Sequence, residues 1–300
     1  MINKNTKFII ATNAHEENYS KDFLENNILQ PIKQLHESEP ELLFKPTEAL
    51  MVYATYKSAA DGKIPIVVPV GGDGTINWHI NNSDIYAPST IYLPFADGTA
   101  NDIASTIYQE PSDFNKILTK GKLKQAKPLL IQNGDIQKKA LGYIGLGITG
   151  QCAKEINSRK DQQPSIIRDS IVSMKGIIKS RKLKVKNIDS GLSNKHMEIA
   201  AVNSRMASFL WPKDPAVFED HFYLVSPEGY FKTANVALRG LKKHLGGRKV
   251  QLGQNIEFTI ENIKDKKRPI YGQCDGEEFI LEDKHIIISK TNRPINLITL

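Results

Sequence analysis

Ile64-Pro65-Ile66-Val67-Val68-Pro69-Val70, followed at once by Gly71-Gly72-Asp73-Gly74-Thr75, is the stretch on which the fold turns. Its first half is a short apolar, β-branched run of the kind that makes a strand buried on both faces. Its second half is a glycine-rich turn that opens a helix. In an open α/β sheet the carboxyl end of a strand is where ligands bind. Glycine lets the backbone approach a phosphate there, and a helix N-terminus offers free N–H donors with positive dipole character. A carboxylate at Asp73 inside such a turn makes chemical sense where Mg²⁺ or a ribose hydroxyl accompanies the phosphates.

Working outward, residues 8–12 read as a strand, 20–36 as a helix bent or split at Pro31, 42–45 as a strand, and 47–60 as a helix that Asp61-Gly62 stops. Residues 90–95 form a second buried-type strand, which delivers Gly98-Thr99-Ala100-Asn101-Asp102 ahead of another helix. Thr99 or Asn101 would also serve as a simple cap for that helix. Repeated βα alternation with continuous apolar strands predicts an α/β fold, an N-terminal doubly wound parallel sheet over residues 1–125.

Beyond Lys127 the rhythm changes to short strands separated by turn residues, at 128–132, 184–188, 198–203, 222–225, 256–260, 270–273 and 285–289. That pattern predicts a C-terminal antiparallel β-sandwich over residues 126–300, with the last residues packing back on the first domain. Two helices interrupt it. In 165–181, Ile167, Ile171, Met174 and Ile178 make one apolar stripe, and 235–245 ends at Gly246-Gly247.

The net charge of +7 is unevenly spread: through Lys120 there are 9 Lys and Arg against 15 Asp and Glu, and the remainder carries 31 against 18. The basic second part favours an anionic neighbour, a membrane leaflet or a polyanion. Lys175, Lys179, Arg181, Lys182, Lys184 and Lys186 follow the first of its helices, and Arg239, Lys242, Lys243, Arg248 and Lys249 decorate the second. No zinc spacing, RNP-like aromatic motif or helix-turn-helix pattern accompanies them, which disfavours nucleic acid. The longest charge-free stretch, 140–153, is too short to cross a bilayer. The first residues show no signal-peptide pattern, so a cytoplasmic protein, peripheral at the inner membrane face, is expected. With only Cys152 and Cys274 there is no disulfide framework, and quiet reduced thiols are expected. The seven histidines form no metal motif, and His79 reads as a satisfied surface residue.

The motifs at 71–75 with Asn77, at 98–102, and Asp275-Gly276-Glu277 near the C-terminus resemble, in order and approximate spacing, the diacylglycerol kinase catalytic-domain family. Its relatives are sphingosine kinases and, more distantly, NAD kinases. The resemblance spans nearly the whole chain. It implies a two-domain kinase that binds ATP in the crevice between an α/β domain and a β-sandwich and transfers the γ-phosphoryl group to a lipid hydroxyl. By the same resemblance Asn13, Gly71, Gly72, Asp73, Gly74, Thr75, Asn77, Gly98, Thr99, Asn101 and Asp102 belong to nucleotide binding. Asp275 and Glu277 match the acidic motif, with Glu277 as proton acceptor and Asp275 organising Mg²⁺. Asp73 joins them as a catalytic candidate, and Asp220 matches a structural metal position. By itself, Asp-Gly between strand-like runs also signals a hairpin turn.

Four positions depart from the family pattern. Asn13 is followed by Ala14-His15-Glu16-Glu17 rather than Pro and a Ser-Gly pair, Trp78 replaces a glutamate, Ala96 replaces a proline, and Asp220 precedes His221 rather than glycine. A formal G-x-G-x-x-G match at Gly145, Gly147 and Gly150, with Asp169 beyond it, lacks the second parallel strand of a dinucleotide-binding unit. The expectation is an ATP- and Mg²⁺-dependent kinase acting on a diacylglycerol-like lipid. The alternatives are an NAD kinase-like enzyme with a soluble acceptor and a catalytically weak nucleotide- or lipid-binding protein. The sequence leaves the oligomeric state open, a homodimer included.

Overall fold

The computed structural model describes residues 5–12, 21–36, 39–97, 101–108, 113–158, 183–187, 193–196, 198–204, 216–225, 249–252, 255–262 and 269–300. The expected helices at 165–181 and 235–245, and most of the basic residues on and after them, lie outside these. The chain forms two compact units, one of Met1–Ala126 with Arg293–Leu300, the other of Lys127–Asn292.

The first unit opens with β1 (Thr6–Thr12), then α1 (Lys21–Leu24) and α2 (Gln30–Leu35), joined by a π-helical turn at Glu25–Leu29. Pro31, at the start of α2, cannot donate an N–H, and the ladder loosens just ahead of it. Next come β2 (Glu41–Phe44), α3 (Glu48–Ala60), β3 (Ile64–Gly71), α4 (Asp73–Asn81), β4 (Ile91–Tyr92), β5 (Phe95–Ala96), α5 (Asp102–Tyr108), α6 (Phe114–Lys120) and β6 (Lys122–Ala126). The second unit carries β7 (Leu129–Asn133), β8 (Ile136–Ala140), β9 (Tyr143–Gly147), α7 (Ile148–Asn157), β10 (Leu183–Asn187), β11 (Ser193–His196) and β12 (Glu198–Val202). It continues through β13 (Phe222–Val225), β14 (Lys249–Leu252), β15 (Asn255–Asn262), β16 (Tyr271–Cys274), β17 (Glu277–Ile280) and β18 (His285–Lys290). The chain then returns to the first unit as β19 (Ile295–Thr299).

In the first unit the strands run in the order β2-β1-β3-β4-β19-β6, parallel except for β6. Both faces of β3 are buried from Pro65 onward, as its apolar run predicts. The order reverses between β1 and β3, so the carboxyl ends of these two strands form a topological switch point. Their register sets Thr12 opposite Val70, which puts Gly71 and Gly72 at that edge. The strand expected at 90–95 is broken in two. Pro69, which has no N–H, falls between the pairings of β3 with β4 and with β5, and Pro94 lies at the same break.

The second unit is a sandwich of two fully antiparallel sheets, ordered β11-β10-β15-β18-β7-β8 and β14-β13-β12-β9-β16-β17. Leu129, Ile131, Phe258, Ile260, Ile286 and Ile288 from one sheet meet Ile144, Leu146, Ile199, Phe222, Cys274 and Phe279 from the other in one core. β15 and β18 alternate buried and less buried residues, the period-two signature of a half-covered sheet. Phe222 is part of that core. The glycines of the G-x-G-x-x-G match sit on β9 and α7, and β9 is antiparallel to both of its neighbours, so no dinucleotide-binding βαβ unit exists there. Gly145 and Gly150 serve packing instead. A Cβ at Gly145 would lie 1.9 Å from Thr149 Oγ1, and one at Gly150 2.1 Å from the Tyr271 carbonyl oxygen.

Candidate active site

The candidate residues fall into two groups, one in each unit. In the first unit, Gly72 is the N-cap of α4 and offers no side chain to its first-turn N–H groups. A Cβ on Gly71 would come within 2.5 Å of Thr75 Oγ1, so the turn closes only around glycine. Gly74 is different: a Cβ there would meet nothing within 4 Å, so packing does not demand glycine at that position. Asn77 is fully buried one turn along α4.

Asp73 ties this turn to the next. Its carboxylate accepts the backbone N–H of Asp102 at 3.0 Å and of Ile103 at 3.1 Å, capping α5 from a neighbouring strand end. The Asp97 N–H donates to the Gly71 carbonyl at 3.1 Å and joins the turns again. Burial pushes the Asp73 carboxyl up to about 6, opposed by the Ile103 and Asp102 N–H groups and reinforced by the Asp102 charge. Asp102 is therefore held against Asp73, with Asn101 the residue before it in the chain. Asn13, Gly98 and Thr99 lie outside the described residues.

On the same helix, His79 is fully buried rather than on the surface, its Nδ1 3.2 Å from the Tyr86 hydroxyl. Burial pushes its imidazole down to about 3. Its place one turn before the end of an inward-facing helix overrides its polarity. Trp78 packs edge-on against it, ring centroids 4.8 Å apart.

In the second unit, Asp275 and Gly276 form a two-residue turn between β16 and β17, with φ of +48° and +90°. Positive φ at both positions is the I′ hairpin that Asp-Gly predicts. The Asp275 carboxylate turns inward. It accepts the N–H groups of Leu141 at 2.8 Å, Gly142 at 3.0 Å and Tyr143 at 2.7 Å, fastening the hairpin to the start of β9. A Cβ on Gly142 would sit 2.4 Å from Asp275 Oδ1, so only glycine lets the carboxylate this close. Glu277, by contrast, is about one-third exposed, with Lys138 Nζ 3.8 Å from its Oε2.

Asp220 pairs with Lys127, whose ammonium holds its carboxyl below the usual range. No group of three or more His, Cys, Asp or Glu gathers as a metal site among the described residues.

Three polar groups of the second unit carry no motif. Lys290 is buried at the end of β18 and donates to the carbonyls of Lys127 at 3.1 Å and Ala216 at 2.7 Å and to the Asn203 side chain. Burial pushes its amine down to about 7. Asn203 also reaches the Leu141 carbonyl at 3.0 Å. Glu198, at the start of β12, accepts the Thr149 N–H at 3.0 Å and the Thr149 hydroxyl, at the N-terminus of α7. In the sequence Glu198 is an ordinary acid at the first residue of a strand. Both thiols are held protonated by burial, Cys152 pushed up to about 12 and Cys274 well above its ordinary value.

A parallel α/β unit and an antiparallel sandwich unit carry these strand-end and hairpin motifs. Residues 24–133 match the family model described as the diacylglycerol kinase catalytic domain. Among solved structures the chain is similar to a diacylglycerol kinase from Bacillus anthracis, at 13% identity and a TM-score of 0.64, covering 99% of this chain and 97% of that one. It is also similar to an NAD kinase from Archaeoglobus fulgidus in complex with ATP, at 15% identity and a TM-score of 0.52, covering 97% and 93%. At these identities the likeness is one of fold. No curated protein matches the chain by sequence. No helix among the described residues is long and apolar enough to cross a membrane.

Proposed function

We propose that the chain is an ATP- and Mg²⁺-dependent lipid kinase with a diacylglycerol-like acceptor, working peripherally at an anionic membrane face. The observation that carries this reading is the Asp73 crosslink, which binds the glycine turn at the switch point to the start of α5 as one rigid strand-end surface. The side-chain-free cap at Gly72 leaves first-turn N–H donors to a phosphate, and the open space over Gly74 admits one closely. Asn13, Gly98 and Thr99 join this nucleotide surface on the strength of the family motif.

Mg²⁺ is ordinarily held by one or two carboxylates plus the substrate's phosphates, and it neutralises the charge that moves during transfer. Asp73 and the neighbouring buried Asp102 are the carboxylates suited to it. Asp73 keeps a second lone pair on each oxygen beyond its backbone bond. Asp275 has three N–H partners and acts by shaping the turn that carries Glu277.

Glu277, partly exposed on that turn, is the proton acceptor. The acceptor hydroxyl oxygen forms a bond to the γ-phosphorus as the bond to the β-bridging oxygen breaks, ADP leaves, and the hydroxyl proton passes to Glu277. The basic excess after Lys120 suits a substrate that resides in a bilayer.

The test is purified chain with labelled ATP, Mg²⁺ and a total lipid extract in mixed micelles, beside a tube holding NAD alone. Labelled lipid is expected, with turnover reduced roughly tenfold or more by Asp73→Ala and by Glu277→Gln. Label only in NAD moves the chain to a soluble acceptor, and no label in either tube makes it a binding protein.

A further inference from the structure

Helix α7 is placed between Glu198, the one buried glutamate of the sandwich's described residues, and the hairpin that bears Glu277. At its start, Thr149 gives both its N–H and its hydroxyl to Glu198. Still in its first turn, Gly150 brings the helix backbone against β16, where any side chain would meet the Tyr271 carbonyl oxygen at 2.1 Å. One turn on, Lys154 Nζ donates to the Tyr271 hydroxyl at 2.6 Å and lies 4.1 Å from the centre of the Tyr271 ring. At its end, the Asn157 amide donates to the Gly276 carbonyl, in the turn itself, at 3.3 Å. A helix gripped at one end and pressed along its length transmits position with little slack.

We propose that α7 is a strut that sets the position of Glu277, with Lys154 and Asn157 as its positioning residues, a role that rests on the reading of Glu277 as proton acceptor. Asp275 fixes the inner side of the hairpin through Leu141, Gly142 and Tyr143, but its bonds leave the outer carbonyl at Gly276 to Asn157. The hairpin is thus held from two sides. Loss of the α7 side lets Glu277 drift, and a displacement on the order of 1 Å in a catalytic group suffices to slow a reaction strongly.

The experiment pairs Lys154→Met with Asn157→Leu in the full chain and includes Lys154→Arg and Glu277→Gln. Four readouts are taken: kcat and KM for ATP with diacylglycerol in mixed micelles, the thermal midpoint, and hydrogen exchange at the amides of 275–278. The double variant is expected to lose about tenfold in kcat with KM for ATP changed less than about twofold, to exchange faster at 275–278, and to keep its midpoint within about 2 °C. Lys154→Arg, which keeps the cation and the donor, is expected to retain most of kcat. Unchanged kcat and unchanged exchange overturn the proposal, as does a kcat loss that merely follows a fall in midpoint. If Glu277→Gln turns over normally, or the chain phosphorylates no lipid, the proton-acceptor reading fails on its own. Exchange at 275–278 then decides whether α7 positions the turn.

Discussion

Asp275 and Glu277 stand two residues apart on one hairpin and face opposite environments. Asp275 is buried on three N–H donors, whereas Glu277 is partly open beside Lys138. Removing a buried acceptor strands its donors, at about 1–3 kcal/mol for each group left unmade. Asp275→Ala is therefore expected to lower the unfolding free energy by about 3 kcal/mol or more, while Glu277→Gln stays within about 0.5 kcal/mol of the parent. Urea titration of the two variants checks the contrast, and equal losses would merge the two roles. The residue types and their order were legible in the sequence for every motif. What each carboxylate bonds was not. Asp73 reads in the sequence as an acid aimed at a ligand, and the structure adds that each of its oxygens also holds the α5 N-terminus.

At the scale of elements, α7 and β12 meet at Glu198. Burial pushes its carboxyl up to about 8, against the Thr149 hydroxyl and the Thr149 and Ile148 N–H groups, which pull it down. Cys152 and Glu155, both on α7, lie on the same side, and the Cys152 thiol is neutral there. Between the ordinary carboxylate range and pH 8 the folded chain holds a proton at Glu198 that the unfolded chain has released. The unfolding free energy therefore falls as pH rises through that window, by at most about 1.4 kcal/mol per pH unit. Glu198→Gln, which cannot ionise, is expected to flatten this slope and to be the more stable protein near pH 8. Denaturation midpoints of both proteins across about pH 5 to 8 test it, and parallel slopes would assign the pH dependence elsewhere. Nothing local marks Glu198, since an acid at the first residue of a strand is ordinary and its burial comes from α7 folding over it.

Across the whole molecule, the chain leaves the first unit at Ala126 and comes back to it at Arg293. β19 is an interior strand, parallel to β4 on one side and antiparallel to β6 on the other, with Leu297 and Ile298 buried. A chain ending at Asn292 is expected to lose the cooperative unfolding of the first unit, because β6 then has no partner and the β4 edge is bare. Removing Leu300 alone is expected to change nothing. Thermal melts followed by far-ultraviolet circular dichroism separate the two outcomes.

The sequence by itself determined the alternating α/β rhythm, the change to short antiparallel strands after Lys127, the glycine-rich strand end at 71–75 and the Asp-Gly hairpin at 275–276. Each of these is written in side-chain periodicity or in the backbone freedom of a few adjacent residues. Only the tertiary structure decided that Asp73 caps a helix 29 residues away, that Asp275 fastens a turn 134 residues away, that His79 lies inside, and that Glu198 is sealed under α7. Those facts are set by contacts between distant segments, and burial and hydrogen-bond partners are properties of the packed chain rather than of any stretch of it.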